Sequence, residues 1–334
     1  MYKENQPGVQ LSSPEVWDSS CVICELILAD VTGDGTNEII LTTDHNLVVF
    51  GYVGAEIKQL AYKDNIIEPR YWIWSMAVAD VNDDSKNDIL LGVNPVGYDP
   101  GYLFMYELVD PPDSDGLSYS LKQISDFYQC SDRMRILSLA AGDSDSVNGP
   151  DKICATAFQY ADTEERIYQN YLLIWDFGDW NSPRVITVGE ETDTYWFRLD
   201  VGDVVDGEYT GDEIALLRPD LAPEQLELHS LSALLLSEDG VLGSPIRTTS
   251  ATPSEVNPDE VYIANWDGDL KNEIVCVGAV AQKSGKDGKG ATCGSYYYIE
   301  VFGIDPDSGN IFSEWYTIGG DRCRDEAPWD ASIG

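Results

Sequence analysis

The chain is nearly without histidine: only His45 and His229 occur among its 334 residues. That scarcity argues against a Ser-His-Asp or Cys-His catalytic group and against a zinc site built from several imidazoles. Basic residues are also few, 20 Lys+Arg against 59 Asp+Glu, which gives a formal charge of −39 and an isoelectric point near 4.1. Such a surface repels nucleic acid and anionic lipid, so neither is expected as a partner. No apolar run approaches the roughly 18 residues that cross a bilayer, so membrane insertion is not expected. Residues 1–10 (MYKENQPGVQ) lack the apolar segment of a secretion signal, as expected if the numbering begins after processing or at an added methionine. Helical periodicity is weak throughout, apart from an ambiguous stretch at Leu231–Leu236.

What the chain does have is core material. Apolar residues make up 43% and aromatics 11%, with 9 Trp and 19 Tyr, so the acidity is not that of a disordered polymer. Seven cysteines (Cys21, Cys24, Cys130, Cys154, Cys276, Cys293, Cys323) fall on or beside apolar runs instead of in paired zinc-type clusters, although Cys21 and Cys24 have CxxC spacing. They predict an oxidising compartment with two or three disulfides and one thiol left over, the alternative being buried reduced thiols.

One short pattern recurs five times, an apolar run ending in acids and followed by a second apolar run. Three copies align without a gap: Leu26 to Leu41, Met76 to Leu91 and Val261 to Cys276. Two looser copies carry Asp143, Asp145 and Asp151 before Lys152, and Asp203, Asp206, Asp212 and Glu213 before Ile214. The first acidic or Asn positions are 30, 80, 143, 203 and 265, so the repeat is close to 60 residues. Alternating apolar residues predict four strands per repeat, at 136–141, 153–158, 171–177 and 184–188 in the third and at 261–264, 274–280, 296–304 and 311–318 in the fifth. Four antiparallel strands repeated radially make an all-β propeller of five blades, in which each small sheet buries both faces against its neighbours. The blades are expected at about 21–68, 69–128, 129–190, 191–250 and 251–320, with an extension at 1–20 and a tail at 321–334 that meet where the ring closes. Cys323 would then lie within reach of Cys21 or Cys24.

The loops between the first two strands of each repeat carry the clearest chemistry. In the second, oxygen-bearing side chains stand at positions one, three, five and nine (Asp80, Asn82, Asp84, Asp88), and in the fifth at Asn265, Asp267, Asp269 and Glu273. A hard cation such as Ca²⁺ takes about 6 to 8 oxygens, which a tight loop with alternate residues facing inward supplies, a backbone carbonyl near position seven included. Without a cation the carboxylates would repel one another.

These loops resemble the FG-GAP repeat, also described as VCBS or integrin α-subunit type, whose loop runs D-x-[DN]-x-D-G-x-x-D between the first two strands of a propeller blade. The resemblance implies Ca²⁺ ligation by Asp30, Thr32, Asp34 and Glu38 in blade one, by the residues just named in blades two and five, and by the carbonyls of Thr36, Lys86 and Lys271. It extends less cleanly to Asp143, Asp145 and Asp151 in blade three and to Asp203 and Asp212 in blade four, whose loops are longer by one and two residues. The sixth-position glycine is present as Gly35 and replaced by Ser85 and Leu270.

With the acid loops on one face of the disc, the other face is built from the connections at 94–101, 159–170, 218–224 and 282–294, which differ in length and composition as recognition loops do. The entries into the first strands converge near the axis on the same face and bring Arg70, Tyr71, Trp72, Trp74, Arg133, Arg135, Tyr195, Trp196 and Arg198. Aromatic faces stack on sugar rings and arginines fork onto carboxylates, so this set suits an acidic glycan or an acidic peptide. His45 reads as a turn residue, His229 as a strand histidine, and 285–290 as a flexible tip lacking the strand and helix of a phosphate loop. The sequence therefore predicts an extracellular or cell-surface recognition and adhesion module, lectin-like, with a glycan or protein ligand. A carbohydrate-active enzyme with axial carboxylates is the alternative, and a self-assembling surface subunit a third reading.

Overall fold

In the computed structural model the described residues are 23–319, apart from 44, 55, 65, 67–70, 98, 110–118, 124–127, 132, 145–150, 164–165, 177–178, 180, 196, 206–210, 222–224, 237–239, 251–255, 266–270, 281–295 and 306–309. Five sheets follow one another along the chain, each with its strands side by side in sequence order. Blade one is β1 (Ile23–Ala29), β2 (Glu38–Thr43), β3 (Leu47–Val53) and β4 (Glu56–Lys63). Blade two is β5 (Tyr71–Ala79), β6 (Asp88–Pro95), β7 (Tyr102–Val109) and β8 (Ser120–Gln123), with the short β9 (Tyr128–Gln129) also paired to β7. Blade three is β10 (Met134–Gly142), β11 (Lys152–Asp162), β12 (Ile167–Trp175) and β13 (Arg184–Thr192). Blade four is β14 (Arg198–Gly202), β15 (Glu213–Arg218), β16 (Gln225–Ser230) and β17 (Arg247–Ser250), with one turn and a half of helix, α1 (Leu231–Leu236), before β17. Blade five is β18 (Val256–Ala264), β19 (Glu273–Val280), β20 (Tyr296–Ile304) and β21 (Ile311–Gly319). The protein is a five-bladed β-propeller of four-stranded antiparallel blades.

The two-residue alternation sends each blade's side chains to both of its faces, and four apolar clusters fill the gaps between successive blades. One joins Val49 and Ile40 to Ile73 and Leu91, the next Leu90 and Met105 to Ile136 and Trp175. The third joins Leu172 and Ile186 to Phe197 and Leu216, the fourth Leu217 and Leu228 to Ile274 and Tyr298. On the opposite flanks, Leu41, Val48 and Phe50 of blade one and Val275, Val277 and Val301 of blade five form clusters of their own.

Cysteines take part in this packing. Cys130, Cys154 and Cys276 are buried free thiols in the second, third and fourth of these clusters, where burial holds each thiol well above its ordinary pKa. Seven cysteines less these three leave four, so three disulfides are excluded. The expectation is corrected toward buried thiols because strand positions that face a blade gap select small apolar groups. Cys21, Cys293 and Cys323, and with them the expected link from Cys323 to Cys21 or Cys24, lie outside the described residues.

Polar clamps from the first and second strands of one blade to the first strand of the next add direction to the apolar packing. Asn94 at the end of β6 is fully buried; its Oδ1 accepts the N–H of Ile136 at 2.9 Å and its Nδ2 donates to the Ile136 carbonyl. From blade three to four, Thr156 Oγ1 donates to the Phe197 carbonyl (2.8 Å) and Ser138 Oγ to that of Leu199 (3.2 Å). From four to five, Asp200 Oδ2 accepts the N–H of Ile263 at 2.6 Å. Truncating Asn94 orphans a buried donor and a buried acceptor, so Asn94→Ala is expected to cost about 2–4 kcal/mol, read as a lower urea midpoint at unchanged m-value.

Candidate functional site

The acid loops lie between the first two strands of each blade and share one construction. Strand pairing sets the register: Ala29 faces Glu38, Ala79 faces Asp88, Gly142 faces Lys152, Gly202 faces Glu213 and Ala264 faces Glu273. The acid in the ninth position therefore starts the second strand, and it is buried in each of four blades, as Glu38, Asp88, Glu213 and Glu273. Glu38 Oε2 accepts the N–H groups of Val31 (3.0 Å) and Thr32 (3.2 Å), and Glu213 Oε2 those of Val204 (3.0 Å) and Val205 (3.1 Å). The ninth residue thus closes the loop onto its own start. In blade three this place belongs to Lys152, whose Nζ pairs with Asp176 at 2.9 Å. Asp151, read from sequence as a closing acid, sits one position earlier. Asp212 likewise precedes the closing residue Glu213.

That earlier position links neighbouring blades. Asn87 Nδ2 donates to the Asp30 carbonyl (2.8 Å) and Asn272 Nδ2 to that of Asp203 (3.0 Å). The backbone N–H groups of Asp151 and Asp212 donate to the carbonyls of Asp80 (3.0 Å) and Asp143 (2.7 Å). Each loop is tied to the first residue of the preceding one, and Asp212 Oδ2 also accepts the N–H of Asp143 at 2.8 Å. Gly142 is required here, since a Cβ on it would stand 2.3 Å from that carboxylate oxygen.

Within the loops, Asp30 accepts the N–H groups of Gly33 (2.7 Å), Asp34 (3.2 Å) and Gly35 (2.7 Å), and Asp34 accepts that of Thr36 (2.8 Å). Blade two repeats the arrangement, with Asp80 accepting from Asp84 (3.2 Å) and Ser85 (2.8 Å), Asn82 from Asp84 (3.0 Å) and Asp84 from Lys86 (2.9 Å). Both loops turn left-handed at their fourth and sixth positions: Gly33 and Gly35 at φ 77° and 84°, Asp83 and Ser85 at 61° and 67°. The glycine missing from blade two was therefore replaced without a change of loop shape.

The closing acids of blades two and four each keep one buried oxygen without a hydrogen-bond partner, Asp88 Oδ2 and Glu213 Oε1. Burial pushes the Asp88 carboxyl up to about 7, helped by Asp84 and Asp80, and the Glu213 carboxyl also to about 7, helped by Asp203 and Asp212. Asp151 rises to about 6 through burial and the charges of Asp212, Asp143 and Asp80. All-oxygen donor sets suit a hard cation, and the unpartnered buried carboxylate oxygens that favour one stand in blades two and four. Among the described residues, however, no three His, Cys, Asp or Glu side chains converge closely enough to hold a metal ion. Asn265 and Lys271 are exposed at the fifth loop, while Asp145, Asp267 and Asp269 lie outside the described residues.

The five first strands surround an axial cavity of about 400 Å³, lined among others by Leu28, Trp74, Ala141, Arg198, Asp200 and Glu260. Arg198 Nε pairs with Glu260 Oε1 at 2.9 Å and its Nη1 donates to the Leu137 carbonyl at 3.1 Å. Asp200 accepts from Val201 (2.9 Å) as well as Ile263, yet burial lifts its carboxyl to about 7.

On the face away from the acid loops, the junction of blades three and four gathers aromatic rings. Phe158, Tyr160, Tyr168 and Tyr195 contact one another at centroid distances of 4.7 to 5.4 Å. The Arg135 guanidinium lies 5.4 Å from the Tyr160 centroid. Tyr195 and Arg135 were foreseen from sequence. Phe158, Tyr160 and Tyr168 were missed because 159–170 reads as a loop, whereas β11 and β12 continue and pair Tyr160 with Tyr168. The period-two spacing of Phe158 and Tyr160 was the available signal. The other foreseen residues disperse. Tyr71 packs into the core between blades one and two with its ring edge-on to Tyr102, Trp72 is 46% exposed and Arg133 is exposed at φ 58°, whereas Trp74 both lines the axis and packs against the aromatic cluster. Arg70 and Trp196 lie outside the described residues.

A family model for an FG-GAP-like repeat matches residues 30–91, from the first acid loop through the first half of the second strand of blade two. No curated protein matches the chain. Among solved structures, one described as "Structure of Dos1 propeller" is similar at 12% identity with a TM-score of 0.44, over 84% of this chain and 56% of that one. This chain thus spans little more than half of that structure's length. The protein is a β-propeller carrying an FG-GAP-like repeat.

Two outcomes follow from the loop and axial geometry. Relieving the left-handed strain by Ser85→Gly should stabilise the fold by about 1 kcal/mol in chemical denaturation. Asp200 carries a folded-state pKa above its unfolded value, so its proton favours the fold and its contribution is lost as pH rises from about 4 to 7. Asp200→Asn should therefore flatten this pH dependence, its urea midpoint falling less than that of wild type between about pH 4 and 7.

Proposed function

We propose that the chain is a Ca²⁺-stabilised extracellular recognition module that binds a glycan or protein ligand on the face opposite the acid loops. The observation that carries this reading is the contrast between the two faces. One repeats a single loop, closed by a buried carboxylate and hydrogen-bonded to the next blade. The other gathers Arg135 and a cluster of aromatic rings at the junction of blades three and four. The FG-GAP-like match over two of these loops supports the cation, as do the unpartnered oxygens of Asp88 and Glu213.

In blade one the ion would be held by Asp30, Thr32, Asp34, Glu38 and the Thr36 carbonyl, and in blade two by Asp80, Asn82, Asp84, Asp88 and the Lys86 carbonyl. Blade four would contribute Asp203 and Glu213, and blade five Asn265, Glu273 and the Lys271 carbonyl together with Asp267 and Asp269. Bound there, the ion supplies positive charge that offsets the repulsion among these carboxylates. In blade three, where Lys152 stands at the closing position, an ion would be held by Asp143, Asp145 and Asp151 without the closing carboxylate. Recognition is better supported than catalysis because the axial carboxylates are engaged, Glu260 by Arg198 and Asp200 by two backbone N–H groups.

Thermal unfolding with and without a chelator tests the cation. At a free Ca²⁺ concentration 100 times the dissociation constant, each site should add about 2.7 kcal/mol, so chelation should lower Tm by several degrees and Asp88→Asn should shrink that shift. A Tm indifferent to chelation would overturn the calcium reading.

A further inference from the structure

Arg135 is the least explained charge in the molecule. It is 7% exposed, its Nε is buried without a hydrogen-bond partner, and among the described residues it forms no ion pair. A buried guanidinium left without a counter-charge is costly, and a chain with 59 carboxylates had many with which to pair it. Arg218 shows how this chain treats a structural arginine: it holds Asp220 through two hydrogen bonds at 2.8 Å and Glu227 at 3.1 Å. Arg198, near Arg135 on the same face, is likewise committed to Glu260. Arg135 instead lies against Tyr160, at the edge of the four-ring cluster between blades three and four.

The cluster adds a surface of matching chemistry. Tyr160 and Tyr195 are half-buried, so part of each ring remains open to solvent. Arg166 closes the β11–β12 turn at φ 57°, exposed and without an ion pair among the described residues. Its charge reaches Tyr195, as do those of Arg135 and Arg198. Three of the 20 basic residues thus surround one group of tyrosines. A guanidinium presents a fork to a carboxylate, and tyrosine rings offer flat apolar faces to the C–H side of a pyranose. The charge of −39 limits the ligand further, because a polyanion or a run of acidic residues would be repelled before reaching the site. A ligand with one carboxylate on an otherwise neutral sugar satisfies both conditions.

We propose that the junction of blades three and four is a subsite for a carboxylate-bearing terminal sugar, with Arg135 taking the carboxylate and Tyr160 and Tyr195 packing on the ring. The inference rests on the recognition reading given above and narrows it to a ligand class. Methyl β-D-glucuronide and methyl α-N-acetylneuraminide, each compared with methyl β-D-glucoside, test it by calorimetric titration of the full chain in millimolar Ca²⁺. At least one anionic sugar should bind about tenfold or more tightly than the glucoside. Arg135→Gln should bring it to the level of the glucoside at unchanged Tm. Arg166→Gly, at an exposed position whose backbone already suits glycine, should weaken it severalfold, and it carries the test if Arg135→Gln does not fold. Equal binding of charged and neutral sugars, or anionic binding unaffected by either substitution, overturns the subsite and leaves a recognition face with another specificity. If none of the three sugars binds while a protein ligand is captured on the same face, the subsite is also overturned. If the chain binds neither sugars nor any protein ligand, the recognition reading falls with it.

Discussion

The ninth-position carboxylate of four of the five acid loops is the contact on which the propeller's construction turns. It is buried at the root of the second strand and accepts backbone N–H groups from the loop's start, as Glu38 does from Val31 and Thr32. Backbone donors at a tight turn need acceptors, and a buried carboxylate supplies them in charge-assisted form. Once the loop is closed, the residue before the acid is held at a fixed height, and from there it reaches the preceding blade. The same few atoms therefore set strand register within a blade and angular position between blades. Lys152 shows that the second task survives loss of the first: blade three lacks the acid, yet Asp151 still reaches the Asp80 carbonyl.

Among the described residues each sheet is built from consecutive strands, so successive blades share no strand and are held to one another by packing and by side-chain clamps. Ser138 and Asp200 line the axial cavity, and Asn94 and Thr156 stand one strand farther out, where short polar groups still span the gap to the next blade. Farther out the gaps widen and are filled by larger apolar groups such as Trp175, Tyr298 and Phe302. This gradient from small and polar to large and apolar is what a radial arrangement of flat sheets requires.

Much of this was legible in the sequence. The near-60-residue repeat and the two-residue alternation were sufficient for five blades of four strands, because both report local periodicities. The loop shape was legible too, although Ser85 and Asp83 occupy left-handed positions that glycine holds in blade one. What was illegible was phase. Asp151 and Glu213 look equivalent as acids before an apolar run, and only strand pairing places one a residue before the closing position and the other upon it. The aromatic cluster was half legible for the same reason, since Tyr160 and Tyr168 meet only when two strands run past the point where their apolar pattern ends. Cysteine identity misled, because small size and reactivity are different reasons for the same residue.

The distribution of charge joins the two faces. Burial first and neighbouring carboxylates second raise the proton affinity of Asp88 and Glu213, so these groups ionise reluctantly. A cation there would restore their full charge and fix it beneath its own, removing the loops as a source of repulsion. The arginines sit at the far ends of the same strands, where β10 and β14 begin. β10 and β14 thus run from arginine entrances to acidic exits. A singly charged ligand approaching from the arginine side meets the field where it is least negative, and a ligand approaching from the loop side meets it where only a cation is welcome.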